Sequence, residues 1–183
     1  ENIESTNNEL YITKGHANVM LGNDTQAKKE YSKALELITD KDEAIDLMQN
    51  IAHTFQLVDN YKLALPYLIK AFELDKENLF IIQDLAYCYE KMDDKQSSIF
   101  YYKKYLEIDP FSENIWYSLG KIYQGEGEIE DAIDAYGYAL AINPRSVDSI
   151  YEIAFLYEEN LQFEKAIEYF LQFLNFEEES TEI

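Results

Sequence analysis

The chain of 183 residues is poor in several things, and each shortage excludes a class of protein. It has one cysteine, so no disulfide can close within it and no thiolate cage can hold a metal. Six glycines and three prolines are too few for an all-β fold, which needs a turn about every ten residues. Basic residues are scarce: 15 Lys and Arg stand against 36 Asp and Glu, a formal net charge of -21. Phosphate contacts are made by Lys and Arg and driven by counterion release, so this balance argues against nucleic acid as a partner. It also disfavours docking on anionic lipid. There is no apolar run of about 18 residues, so no membrane insertion is expected. Glu1 to Asn8 are polar and acidic, without the apolar stretch of a signal peptide, which leans the expected compartment toward the cytoplasm.

What the chain does have is repetition. Ile-Asp-Pro ends a stretch at Pro110 and Ile-Asn-Pro ends another at Pro144, 34 residues later. Extending that register gives five units, starting near Asn8, Ile45, Leu79, Glu113 and Val147. The first step is 37 residues, with the three extra residues around Asp40 to Glu43, where an insertion costs least. Numbering each unit from 1, position 8 reads Gly15, Ala52, Ala86, Gly120 and Ala154. Position 20 reads Ala27, Ala64, Ser98, Ala132 and Ala166, so all ten are small. Position 24 is always large: Tyr31, Leu68, Tyr102, Tyr136 and Phe170.

Each unit reads as two helices. In the fourth, Trp116, Leu119, Gly120 and Tyr123 share one helical face, Gly125 and Gly127 break it, and Ala132, Tyr136, Ala139 and Leu140 resume it until Pro144. Asn23-Asp24, Asp59-Asn60 and Asp93-Asp94 occupy the corresponding breaks, where their side chains are expected to cap the next helix. Two antiparallel helices approach closely only where side chains leave room, so position 8 is expected to face position 20. One such pair cannot bury its own apolar face, and the pairs must stack.

This pattern resembles the tetratricopeptide repeat, which favours Trp, Leu, Gly, Tyr, Ala, Phe, Ala and Pro at positions 4, 7, 8, 11, 20, 24, 27 and 32. The fourth unit follows it with Trp116, Leu119, Gly120, Tyr123, Ala132, Tyr136, Ala139 and Pro144. The organisation expected is a polar lead over 1–7, five repeats over 8–176 and an acidic tail over 177–183. The resemblance implies an all-α fold, an α-solenoid of antiparallel helix pairs forming a right-handed superhelix. Seven tyrosines (Tyr11, Tyr31, Tyr89, Tyr102, Tyr123, Tyr136 and Tyr157) fall at its packing positions. Departures are Lys14 and Asn18, which suit an exposed first end, and Tyr105 and Phe173, where alanine is usual.

The resemblance further implies a concave groove lined by positions 2, 5, 9 and 12, binding a peptide or helical segment of a partner. The expected groove residues are Ile12, His16, Gln49, His53, Gln56, Phe80, Gln83, Tyr87, Asn114, Tyr117, Lys121, Gln124, Tyr151 and Phe155. Glu9, Asp46, Glu90, Asp148 and Glu158 share those positions, so the surface is acidic overall. The family's clamp for acidic chaperone tails needs Lys, Asn and Arg where this chain has Ile12, His16, His53, Gln83 and Tyr87, and is rejected. Exposed rings can stack on apolar or cationic side chains, and amides can bond a peptide backbone in either direction. A neutral or basic protein or peptide is therefore the expected partner. Alternatives are a self-associating array, a homo-oligomer through its ends, or a recruiting module of a larger enzyme.

No catalytic site, metal or cofactor is expected. Cys88 has no base or cation placed beside it in the pattern, so a packed thiol is expected. His16 and His53 share position 9, but helices about 10 Å apart place them poorly for one zinc. Gly125-Glu126-Gly127-Glu128 lacks the third glycine of a dinucleotide loop, and its acids would repel phosphate.

Overall fold

A computed structural model describes residues 3–181, with side chains described for 7–176; the side chains of residues 1–6 and 177–183 lie outside the described residues. Among the described residues there are ten helices and no strands. They are α1 (Ile3–Met20), α2 (Asp24–Glu36), α3 (Lys41–Gln56), α4 (Tyr61–Leu74), α5 (Leu79–Lys91), α6 (Lys95–Ile108), α7 (Glu113–Glu126), α8 (Ile129–Ile142), α9 (Val147–Glu159) and α10 (Phe163–Thr181). The fold is an α-solenoid of antiparallel helix pairs, in which α1 packs on α2, α3 on α4, α7 on α8 and α9 on α10. The chain divides into two compact units, 1–101 and 102–183, with the division inside α6.

Every pair turns in the same way, by backbone atoms. The residue at position 15 has a positive φ in all five repeats: Gly22 (72°), Asp59 (55°), Asp93 (59°), Gly127 (76°) and Leu161 (58°). The next N–H reaches back to the carbonyl of position 11: Asn23 to Asn18 (2.8 Å), Asn60 to Phe55 (2.9 Å), Asp94 to Tyr89 (2.9 Å), Glu128 to Tyr123 (2.9 Å) and Gln162 to Tyr157 (2.8 Å). This is the Schellman closure, which satisfies carbonyls that a helix end leaves free. It corrects the expected capping. The Asn23 and Asn60 side chains make no capping bond. Only Asp94 does so, accepting from the Ser97 N–H at 3.1 Å. Asn60 instead donates to the Asp24 carboxylate at 3.2 Å, tying the starts of α4 and α2 together.

The three extra residues of the first step do not widen a loop. They lie in the first turn of α3, and Asp40 caps that turn by accepting from the N–H groups of Asp42 (2.9 Å) and Glu43 (3.0 Å). An anionic side chain is favoured at a helix N-terminus, and Asp42 and Glu43 add two more.

The small positions also answer to a different neighbour than expected. A Cβ at Gly120 would stand 2.7 Å from the Tyr136 ring, and one at Gly15 would clash likewise with Tyr31. Glycine at position 8 therefore makes room for the ring at position 24. The contact with position 20 exists too, since the buried Ser98 hydroxyl donates to the Ala86 carbonyl at 2.9 Å. Tyr31, Leu68 and Tyr136 are wholly buried, and Tyr102 nearly so. In the first unit they join Ile51, Phe55, Ile81 and Leu85 in one core. In the second, Ala132, Tyr136, Ile153 and Leu156 form the centre. Phe173, at an alanine position, packs against Tyr151 with ring centroids 5.4 Å apart.

Candidate partner-binding faces

In the first unit, the first helices of repeats two and three bring four expected residues together. Gln49 and His53 of α3 and Phe80 and Gln83 of α5 line a cleft of about 520 Å³, with Asp46, Asn50 and Asp84. Phe80 is 75% exposed, which leaves a flat apolar ring at the rim. Asp84 is partly buried, and its carboxyl is pushed above the usual carboxylate range by burial, with His53 pulling the other way. No lysine or arginine among the described residues pairs with Asp84. Asn50 and Asp84 occupy position 6 of their repeats, outside the positions the resemblance supplied. The signal that could have found Asp84 is an acid one residue past a lining position, on a helix whose neighbouring turns are apolar.

Other expected residues of this unit stand elsewhere. Ile12 of α1 lines an adjoining cleft of about 390 Å³ with Glu9 and Glu43, which shares Asp46 and Asn50 with the first. His16 packs against the Tyr31 ring with centroids 5.7 Å apart, and its Nε2 is buried without a hydrogen-bond partner. Burial lowers its pKa from the ordinary imidazole value, partly offset by a hydrogen bond with Asn50. His53 is exposed in the larger cleft, which His16 does not line. Among the described residues, no group of three or more His, Cys, Asp or Glu side chains is placed to hold a metal.

Gln56 donates to the Cys88 sulfur at 3.2 Å. Cys88 is buried, and burial pushes its thiol up to about 11, so it stays protonated at neutral pH. Tyr87 meets the Tyr61 ring edge-on at 5.9 Å, and Lys91 Nζ lies 5.0 Å from its centroid. That face of Tyr87 already carries a cation.

In the second unit, Tyr117 and Gln124 of α7 are joined to the fold. Tyr117 leans on Tyr136 at 5.3 Å between centroids. The Tyr136 hydroxyl donates to Gln124 Oε1 at 2.7 Å, and Gln124 Nε2 donates to the Glu152 carboxylate at 3.0 Å. Gln124 is thus engaged as acceptor and donor, and is less available to a peptide than its position suggests. Asn114 and Lys121 are exposed. Tyr151 (45% exposed) and Phe155 (37% exposed) stand on α9, with Tyr151 braced by Phe170 and Phe173 of α10.

Comparison with known proteins places this geometry. Models of the tetratricopeptide repeat match residues 9–41, 45–78, 81–112, 114–146 and 148–176. Among solved structures, the chain is similar to MamA protein, with a TM-score of 0.78 and 22% identity, covering 97% of this chain and 96% of that one. It is also similar to MamA 41-end from Desulfovibrio magneticus RS-1, with a TM-score of 0.73 and 15% identity, covering 94% of this chain and 96% of that one. At these identities the likeness is one of fold. No curated protein sequence matches the chain.

Proposed function

Because this chain belongs to the tetratricopeptide repeat family and is a protein–protein interaction scaffold, we propose that its first-helix faces hold a peptide or helical segment of a partner, chiefly in the cleft between α3 and α5. The observation that carries this reading is Asp84. A half-buried carboxylate that no lysine or arginine among the described residues pairs with, beside Asp46 and an exposed Phe80, suits an arginine or lysine that stacks on the ring and reaches the acids. Gln49 and Gln83 supply amides for the backbone on either side. A neutral or basic segment is favoured and an acidic one is opposed. The groups present suit holding rather than chemistry: the one thiol is protonated and buried.

Three peptides of matched length and apolar content, flanked by Arg, by Gln or by Glu, test this reading by NMR titration. The Arg peptide should shift the amides of Gln49, His53, Phe80 and Gln83, and binding should weaken about tenfold in Phe80→Ser with Asp84→Asn. Unchanged affinity in that variant, or preference for the Glu peptide, overturns it.

A second reading, self-association, is favoured by α10. Phe163, Ile167, Leu171 and Leu174 share one face of that helix and are each 53–58% exposed. Light scattering over a hundredfold concentration range should show a dimer that Ile167→Glu dissolves. A monomer at every concentration removes this reading.

A further inference from the structure

The second unit carries an apolar site on the opposite side of α7 from Tyr117 and Lys121. Trp116, Leu119 and Tyr123 lie on that side, at i, i+3 and i+7. Trp116 stacks on Tyr138 of α8 with centroids 4.4 Å apart and planes 28° from parallel. Its indole N–H donates to the Pro110 carbonyl at 2.9 Å, so its one polar atom is already used. The stacked pair is a shared wall between two clefts. One, of about 520 Å³, is closed by Pro110, Phe111, Ala141 and Ile142. The other, of about 380 Å³, runs between α6 and α8. Phe111 is 78% exposed and Tyr138 55% exposed. Rings left this open on a chain of net charge -21 are not explained by packing of the repeats.

The rim decides the occupant. Glu107, Asp131 and Asp134 line the second cleft with one base, Lys103, whose Nζ is drawn over the Tyr123 ring at 5.6 Å. Three carboxylates facing one engaged lysine make the rim acidic. A second copy of so acidic a chain would meet it with like charge, whereas a basic segment is drawn in. We propose that this back face is a second binding site, which takes a short basic peptide segment of a partner protein with an apolar anchor. The anchor side chain fills the cleft of Phe111, Trp116, Tyr138 and Ile142. An adjacent Arg or Lys reaches Glu107, Asp131 and Asp134. The site is built from other residues than the first-helix cleft, so one scaffold carries two segments.

The molecule contains its own reporter, because Trp116 is the one tryptophan of the chain. The probes are three heptapeptides without Trp or Tyr, sharing a Leu-Phe anchor flanked by Arg, by Gln or by Glu. Trp116 emission should change saturably with the Arg peptide, about tenfold more weakly with the Gln peptide, and not with the Glu peptide. Salt should narrow the gap between the Arg and Gln peptides. Asp131→Asn with Asp134→Asn should abolish the preference for Arg while keeping anchor binding. Phe111→Ser with Tyr138→Ser should weaken all binding about tenfold or more. Both residues are largely exposed, and circular dichroism verifies that the variant folds. Phe80→Ser with Asp84→Asn, on the first-helix side, should leave the Trp116 titration unchanged. The proposal is overturned by any of three results: no saturable change with the Arg peptide, equal binding of the Glu peptide, or full affinity in the Phe111 and Tyr138 double variant. A Trp116 signal that follows protein concentration without peptide, together with a rise in mass, puts a second copy in the site and overturns it equally.

Discussion

Tyr31 and Tyr136 hold the same repeat position in different units, and both are wholly buried beside a glycine that makes room for the ring. Their hydroxyls fare differently. That of Tyr136 donates to Gln124, which donates on to Glu152. That of Tyr31 is buried and makes no hydrogen bond of normal geometry, with the Thr54 side chain near enough only to interact weakly, next to a His16 whose Nε2 is also unpartnered. The cause is visible at position 12, which is Gln124 in the fourth repeat and the buried Val19 in the first. Ring packing is thus a property of the repeat, whereas satisfaction of the hydroxyl is a property of the individual copy. A buried polar group left unpaired costs about 1–3 kcal/mol, so the first unit gives up stability that the second keeps.

The largest test removes both rings. Tyr31→Ala and Tyr136→Ala should each destabilise by about 3–5 kcal/mol in denaturant unfolding, because each empties a core position of its unit. A large difference between them would break the equivalence of the two packing sites. Next come the glycines. Gly15→Ala and Gly120→Ala should each cost about 1–3 kcal/mol through overpacking. Combining Gly15→Ala with Tyr31→Leu should recover part of the loss, since it recreates the Ala52 and Leu68 pairing that the second repeat buries.

The sharpest test is smaller and has opposite signs. Tyr31→Phe should stabilise by about 1 kcal/mol, because it deletes a buried hydroxyl that makes no well-formed hydrogen bond. Tyr136→Phe should destabilise by about 1 kcal/mol, because it strips Gln124 of its donor. Equal signs would show that the hydroxyls do not distinguish the units. The smallest effect is that of pH. His16 titrates below its ordinary value in the folded chain, chiefly through burial. The unfolded chain therefore binds that proton first, and stability falls as pH drops below about 6.5. His16→Gln should flatten this part of the profile of thermal midpoint against pH.

Much of the fold was legible because packing constraints repeat. The small residues at positions 8 and 20 and the large one at 24 mark every hairpin, and spacing alone locates them. The turn was misread because its determinant is a conformation and not a residue type. Gly22, Asp59, Asp93, Gly127 and Leu161 share no chemistry that spacing could reveal. The candidate site was legible as far as position predicts exposure, as for Phe80, Gln83 and His53. It failed where a third residue decides. Gln124 reads as a free amide until Tyr136 and Glu152 stand on either side of it. Asp84 reads as a solvated acid until the first unit folds over it.

The hairpin turns have a consequence for how the chain can be altered. Since backbone atoms close all five, the side chain at position 15 plays no part in the closure and is exposed, although Asp59 accepts from the Tyr61 hydroxyl at 2.9 Å and Asp93 lies 3.9 Å from Lys95 Nζ. Even Leu161, in a conformation that costs a non-glycine residue about 1–2 kcal/mol, is 74% exposed there. Each repeat thus offers one exposed turn position as an attachment point. A cysteine or a tag placed at Leu161, where a side chain already bears the positive φ, would label the fifth repeat at little structural cost, whereas one at Gly22 would add that strain and one at Asp59 would lose the bond from Tyr61.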